Sequence, residues 1–295
     1  MAIAVSVAPR VKRMRVVALN LFGRRGNWAA RRDVITAGLH ALQPDLVAFI
    51  EAIKTDVYDQ AAELLSGGYE LFHQSAREPG GPGDVEPGQG ATIASRWPLG
   101  AVREVDQHVT PRTVGFAATT LIAEVAAPAP FGPLLFANHV PNWQLSFEHE
   151  RELQAVRAAR AIETQLDGRP GHVVLAGDFT ANPEAASVRF LTGRQSLQGE
   201  SVCYRDAWEA THPGEPGETF TPRNALLTDH DWPFRRLDYV LVRCGEHGGP
   251  TLAIASCQLL FDEPVDGVWA SDHFGVVADL VMPPERNEAE AHTVV

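Results

Sequence analysis

His172–Pro183, HVVLAGDFTANP, sets four apolar residues between His172 and a glycine, with a carboxylate, Asp178, directly after Gly177. A run this short, partly β-branched and closed by Gly, predicts a buried strand. A side chain at the end of such a strand is held rigidly and aimed. The same arrangement recurs along the chain. Val16–Leu19 ends in Asn20, and Leu46–Ile50 ends in Glu51. Leu134–Ala137 runs into Asn138-His139, Leu237 into Asp238, and Ala270-Ser271 into Asp272-His273. Any one of these reads most simply as a turn or cap residue. Six of them, all beside strands, are hard to attribute to turn chemistry.

Further strands are predicted at Ala91–Ala94, Ala117–Val125, Leu237–Val242 and Phe274–Val281. Helical spacing predicts a helix over Trp28–Leu42, with Val34, Ile35, Leu39 and Leu42 on one face. A second, N-capped by Ser146, runs to Leu166 with Leu153, Val156, Ala159 and Ile162 on one side. Shorter helices are expected at Asp56–Leu65 and Glu184–Leu191. Strands often follow one another without an intervening helix. The pattern therefore predicts an α+β layered domain, sheet packed on sheet with helices outside. Neither repeat nor linker is evident, so residues 14–282 read as one domain between an N-terminal tail, 1–13, and a disordered C-terminal tail, 283–295. Two long irregular stretches, Arg77–Gly90 and Thr211–Arg235, interrupt it, the first expected to be mobile.

The chain of 295 residues carries 25 Lys+Arg against 37 Asp+Glu, a net charge of −12. That balance disfavours a long polyanion as partner, because phosphate neutralisation supplies most nucleic-acid affinity. A small phosphoester suits it better. No apolar run is long enough to span a membrane, and the first residues lack a secretory pattern. A cytoplasmic protein is expected, with Cys203, Cys244 and Cys257 as buried or reduced thiols. No protein partner is predicted.

The strand-end residues are matched in type. Asn, Glu and Asp are hard oxygen donors suited to Mg²⁺, with Mn²⁺ as an alternative. Two histidines beside them can move protons near neutrality. An Asp next to a His stabilises its imidazolium form. These parts suit metal-assisted attack of water on phosphorus.

The ordered set Leu19-Asn20, Phe49-Ile50-Glu51, Asn138-His139, Gly177-Asp178-Phe179, Arg236-Leu237-Asp238-Tyr239 and Ser271-Asp272-His273 resembles the endonuclease/exonuclease/phosphatase superfamily. That superfamily includes deoxyribonucleases, neutral sphingomyelinases and inositol polyphosphate 5-phosphatases. Gly90–Pro98, Arg151 with Gln154, and Thr219-Phe220 fit adjoining segments. The resemblance runs from about Arg15 to about Leu280. It implies a four-layered α/β-sandwich, two mixed β-sheets face to face and flanked by helices, with a site at one sheet edge. Carried over by residue, it implies Glu51 as principal Mg²⁺ ligand, Asn20 beside it, and Asp272 completing the metal side. Asp178 would position or deprotonate the water, Asp238 would orient His273, and His273 would act on the phosphate or as base. His139 would stabilise the transition state or protonate the leaving oxygen.

One position departs from the pattern. The family usually has Asn where this chain has Thr180, and that Asn donates to a phosphate oxygen. Thr180 itself, Asn142 or Asn182 could supply the donor instead, and Trp143 and Trp269 are expected to line the cleft. Arg24, Arg25, Arg31 and Arg32 are expected on a solvated helix face, the alternative being that they grip a phosphate. The expected function is Mg²⁺-dependent hydrolysis of a small-molecule or lipid-headgroup phosphodiester or monoester. The alternatives are a cytoplasmic metal-dependent nuclease, a non-catalytic binding protein, or a biosynthetic hydrolase recruited onto the fold.

Overall fold

The computed structural model describes residues 13–79, 86–227, 232–233, 235–246 and 248–284. Two six-stranded mixed sheets form within them. The first holds, in spatial order, β11 (Ala253–Leu260), β12 (Gly275–Val281), β1 (Met14–Asn20), β2 (Leu46–Ile53), β4 (Gln89–Ser95) and β3 (Glu70–His73). The second holds β5 (Leu99–Asp106), β6 (Thr119–Val125), β7 (Leu134–Val140), β8 (His172–Asp178), β10 (Asp238–Arg243) and β9 (Tyr204–Asp206). Central pairs β1–β2 and β7–β8 are parallel, and the other pairings are antiparallel.

The continuous apolar strands follow from burial on both faces. In β1, Val16 and Ala18 face the core between the sheets, whereas Val17 and Leu19 pack with Ile35 and Leu39 of α1 (Trp28–Leu42) and Leu64 of α2 (Gln60–Leu65). In β8, Val174 and Ala176 face the inter-sheet core. Val173 and Leu175 instead meet Val156 and Ile162 of α3 (Glu148–Leu166) and Val188 of α4 (Ala186–Leu191). Three apolar interfaces thus separate four layers, as the sequence reading expected.

Differences are local. The long helix begins at Glu148 after Phe147, and no side chain caps it, so Ser146 is not its N-cap. The predicted Asp56–Leu65 helix shrinks to Gln60–Leu65 because Asp59 accepts from Ala62 N–H and caps it there. Within the Arg77–Gly90 stretch, residues 80–85 lie outside the described set, but its ends are fastened. Glu78 N–H donates to Gln89 O and Gly88 N–H to Glu78 O, while Arg77 reaches Ala52 O. Asn138, from β7, donates its amide across the sandwich to Phe49 O at 2.9 Å and Thr92 O at 3.1 Å, joining one sheet to the other.

Candidate active site

Side-chain alternation decides which strand-end residues meet. Asp178 continues the face of Val174 and Ala176, and Asp238 that of Val240 and Val242, so both point between the sheets. Asn20 arrives on the same face from β1, and its amide donates to Asp178 Oδ2 at 3.2 Å. His273, in the turn before β12, places Nδ1 2.9 Å from Asp238 Oδ2 and 3.9 Å from Asp178 Oδ2. Thr219 donates to the same Asp238 oxygen at 2.6 Å, while its oxygen accepts from the N–H groups of Leu237 and Asp238. Asp178 Oδ1 accepts from Thr180 N–H at 2.9 Å.

Electrostatics divide this cluster. Burial, then the neighbouring Asp238, pushes the Asp178 carboxyl up to about 7. Burial alone would discharge His273, but Asp238 and Asp178 outweigh it and hold the imidazole well above its ordinary value. Asp272 is pushed up to about 6, first by burial and then by Glu51 against the opposing pull of His273.

Glu51 sits where the β2–β4 register breaks between Phe49 and Ala52, at φ 56°. Positive φ is strained for a side chain of this kind, and such bulges re-aim residues at functional edges. Glu51, Asp272 and Asn20 each carry the kind of oxygen donor that a hard divalent cation takes. Asp272, half-buried, accepts a 3.2 Å bond from the Ser271 hydroxyl and lies under the influence of the like-charged Glu51, a situation a cation relieves. Asp238 Oδ1 is buried with no hydrogen-bond partner among the described residues. Asp178, Asp238 and His273 also bring ligand atoms within 4.8 Å of one another, although His273 Nδ1 already faces Asp238.

His139 lies elsewhere. It continues the Leu135 and Ala137 face of β7, toward α3, with Nδ1 2.7 Å from the Thr120 hydroxyl and its ring edge-on to Phe179 at 5.2 Å. Thr120 accepts from Gln107, which leaves its hydroxyl hydrogen for Nδ1. Burial pulls His139 down to about 3. Gly177 lets this corner pack: a Cβ there would stand 2.2 Å from His139 O, and φ is 141°.

Of the candidate substrate donors, Asn142 is buried with its amide engaged by Gln154 and Gln144. Asn182 Oδ1 is buried with no hydrogen-bond partner among the described residues. Thr180 takes φ 50°, a strained value for a β-branched residue, and its hydroxyl donates to Asn142 O at 3.0 Å. Trp143, half exposed, lies 5.9 Å from Trp232 and lines a narrow cleft with Glu51, Asp178 and Thr180. Trp269 stacks on Phe274 at 5.8 Å.

The arginine reading needs correction. Arg25 donates to Glu51 Oε2 at 2.7 Å and to Gln89 at 3.2 Å. Arg31 is buried, donating to the carbonyls of Leu21, Arg25 and Ala270. It fastens the loop after β1 to the segment entering Ser271-Asp272-His273. The irregular Thr211–Arg235 stretch also contributes unforeseen supports. Thr219 holds Asp238, Phe220 packs 4.8 Å from the His273 ring, and Asn224 holds Ser271 O at 2.7 Å. Only the Thr219-Phe220 dipeptide left a trace in the sequence.

Carboxylates, amides and an imidazole converging at one edge of two facing mixed sheets are the build of a phosphoester hydrolase that works with a divalent cation. The chain belongs to the Endonuclease/Exonuclease/phosphatase family, whose family model matches residues 17–273. Truncated TDP2 from Caenorhabditis elegans has a similar structure at 16% identity and TM-score 0.70, covering 91% of this chain and 98% of that one. The human Nocturnin catalytic domain, with bound sulfate, is similar at 18% identity and TM-score 0.69, covering 92% and 94%. D. rerio TDP2 complexed with a single-strand DNA product is similar at 20% identity and TM-score 0.68, covering 91% and 98%. No protein in the curated set matches this chain. Among the described residues, no helix is long and apolar enough to cross a membrane.

Proposed function

We propose that this protein hydrolyses a small phosphoester with Mg²⁺, Mn²⁺ serving in its place. The observation that carries the reading is the bonded row Asn20–Asp178 and His273–Asp238–Thr219, with Asp272 under the electrostatic influence of both His273 and Glu51. Glu51 and Asp272, with Asn20 beside them, would hold the ion. When bound, it would polarise the phosphoryl oxygens and offset developing charge.

Asp178 orients the attacking water and takes its proton. The Asn20 amide and Thr180 N–H each fix one of its oxygens, so the carboxylate is preorganised. His273 turns Nδ1 to Asp238, leaving Nε2 for a phosphoryl oxygen. Asp238 and Thr219 are positioning residues for that imidazole. The Thr180 hydroxyl bonds Asn142 O and is not the donor that Asn usually supplies at this position. Trp143 offers an apolar surface for the ester substituent.

The net charge of −12 favours a small ester over nucleic acid. The DNA product in the D. rerio relative is the specific observation favouring a nuclease. One assay decides between them: bis-p-nitrophenyl phosphate, p-nitrophenyl phosphate and plasmid DNA, each with Mg²⁺, Mn²⁺ or EDTA. The expected result is EDTA-sensitive release from a small ester with plasmid intact. Nicked plasmid transfers the assignment to the nuclease, and hydrolysis that survives EDTA overturns the metal dependence.

A further inference from the structure

The Arg25–Glu51 pair does not fit a simple surface ion pair. Glu51 is the bulged, positive-φ residue at the mouth of the site, and its Oε2 lies 2.7 Å from Arg25 Nη1. Its Nη2 donates to Gln89 Oε1 at 3.2 Å, and the group lies 4.8 Å over the Phe22 ring. Its main chain is pinned because Arg31, buried beneath, donates to Arg25 O at 2.7 Å. The side chain is therefore a tethered cation on a fixed stem, set against a carboxylate of the proposed metal set. Both partners retain solvent contact, with side-chain exposures of 17% and 29%, so an ion can approach the pair from solvent. A divalent cation taken through Oε2 would compete with the guanidinium for that oxygen's charge and lone pairs.

We infer that Arg25 is a resident counter-ion for Glu51 that a divalent cation displaces, and that the released guanidinium then faces the phosphoester. This inference rests on the reading of Glu51 as a metal ligand. In the absence of metal, Arg25 offsets a carboxylate that would otherwise repel Asp272. After exchange, the same positive charge remains at the rim, where the phosphoryl oxygens sit. Metal entry and anion binding are thereby coupled through one side chain, and the coupling is reciprocal.

The test is Mn²⁺ binding to the full chain, read from the electron paramagnetic resonance of the free ion, followed by inorganic phosphate binding to the Mn²⁺-loaded protein by calorimetry. Arg25→Gln should tighten Mn²⁺ about fivefold, the scale of a partly exposed ion pair no longer competing. It should weaken phosphate on the loaded protein by a similar factor. Arg24→Gln removes the same charge from the neighbouring Arg24–Glu86 pair without touching Glu51, and should leave both affinities near the parent's. Arg25→Lys, which retains the charge and stem but loses the fork, should fall between parent and Arg25→Gln and guards against misfolding of the latter. Equal Mn²⁺ affinity in parent, Arg25→Gln and Arg25→Lys overturns the exchange. Unchanged phosphate affinity overturns the anion half. A parent that binds no Mn²⁺, or a Glu51→Gln variant that binds it as tightly, overturns the metal-ligand reading itself.

Discussion

His139 and His273 are both almost fully buried, both close to the end of a strand, and separated by one sheet. Their surroundings drive them to opposite charge states. His273 has Asp238 and Asp178 within 4 Å and is held well above the usual imidazole range. His139 has a hydroxyl and the edge of Phe179, and burial drops it to about 3. A buried ring has no intrinsic protonation state, and the nearest oxygen type decides it. The consequence for chemistry is that His273 presents a cation to the cleft, whereas His139 presents a neutral ring to the α3-side core.

Activity gives the largest test of this contrast. His273→Gln should lower kcat by about a thousandfold, the scale of losing a preorganised charged donor. His139→Gln should cost no more than about tenfold, as expected for a packing and positioning role. Stopped-flow release of p-nitrophenolate from the parent's best ester measures both, and equal losses would break the comparison. Stability against pH gives the next effect. His139 is neutral when folded and has an ordinary value unfolded, so the unfolded state binds the extra proton between pH 6.5 and about 3. Stability must fall as pH drops through that window, by roughly 3–5 kcal/mol at its acid end. His273 has the opposite sign: its contribution is fully present below pH 6.5 and is lost as pH rises toward its elevated folded value. Urea midpoints between pH 7 and pH 4.5 should fall less steeply for His139→Gln than for the parent, and an unchanged slope would contradict the neutral buried ring. The smallest effect belongs to Thr180, which stands between the corners, its N–H on Asp178 and its hydroxyl on Asn142 O. Thr180→Asn should raise stability by about 1 kcal/mol, because Asn tolerates the left-handed region that strains a β-branched residue. Thermal melts of parent and variant at one pH would show it, and a lower midpoint would mean that the hydroxyl bond outweighs the strain.

Much of this was legible in the chain. The central strands are buried on both faces, so their apolar runs stand out, and the polar residue ending each one is visible against them. The layered α+β arrangement followed from strands adjacent in sequence. What escaped notice depends on distant partners. β5 mixes exposed and half-buried residues with one buried valine, Val105, at the sheet edge and has no apolar run to find. Arg25 and Arg31 look alike in sequence, yet one meets Glu51 and the other Ala270 O, 239 residues away. Asn138 and His139 are adjacent, but strand alternation sends one between the sheets and the other toward α3, and only the register fixes which is which. Thr219 and Asn224 sit in a stretch without periodicity, and their value comes from the carboxylate and carbonyl they reach.

The Asn138 amide, bonded to Phe49 O and Thr92 O, acts mechanically as a cross-tie between two plates. Asn20 and Glu51 ride on one plate, and Asp178 and Asp238 on the other. A sliding displacement of an ångström would therefore pull the Asn20–Asp178 bond apart before any strand unzipped. With the tie in place, the plates resist shear, and the distances across the cleft are set by the thickness of the apolar filling rather than by the loops above it.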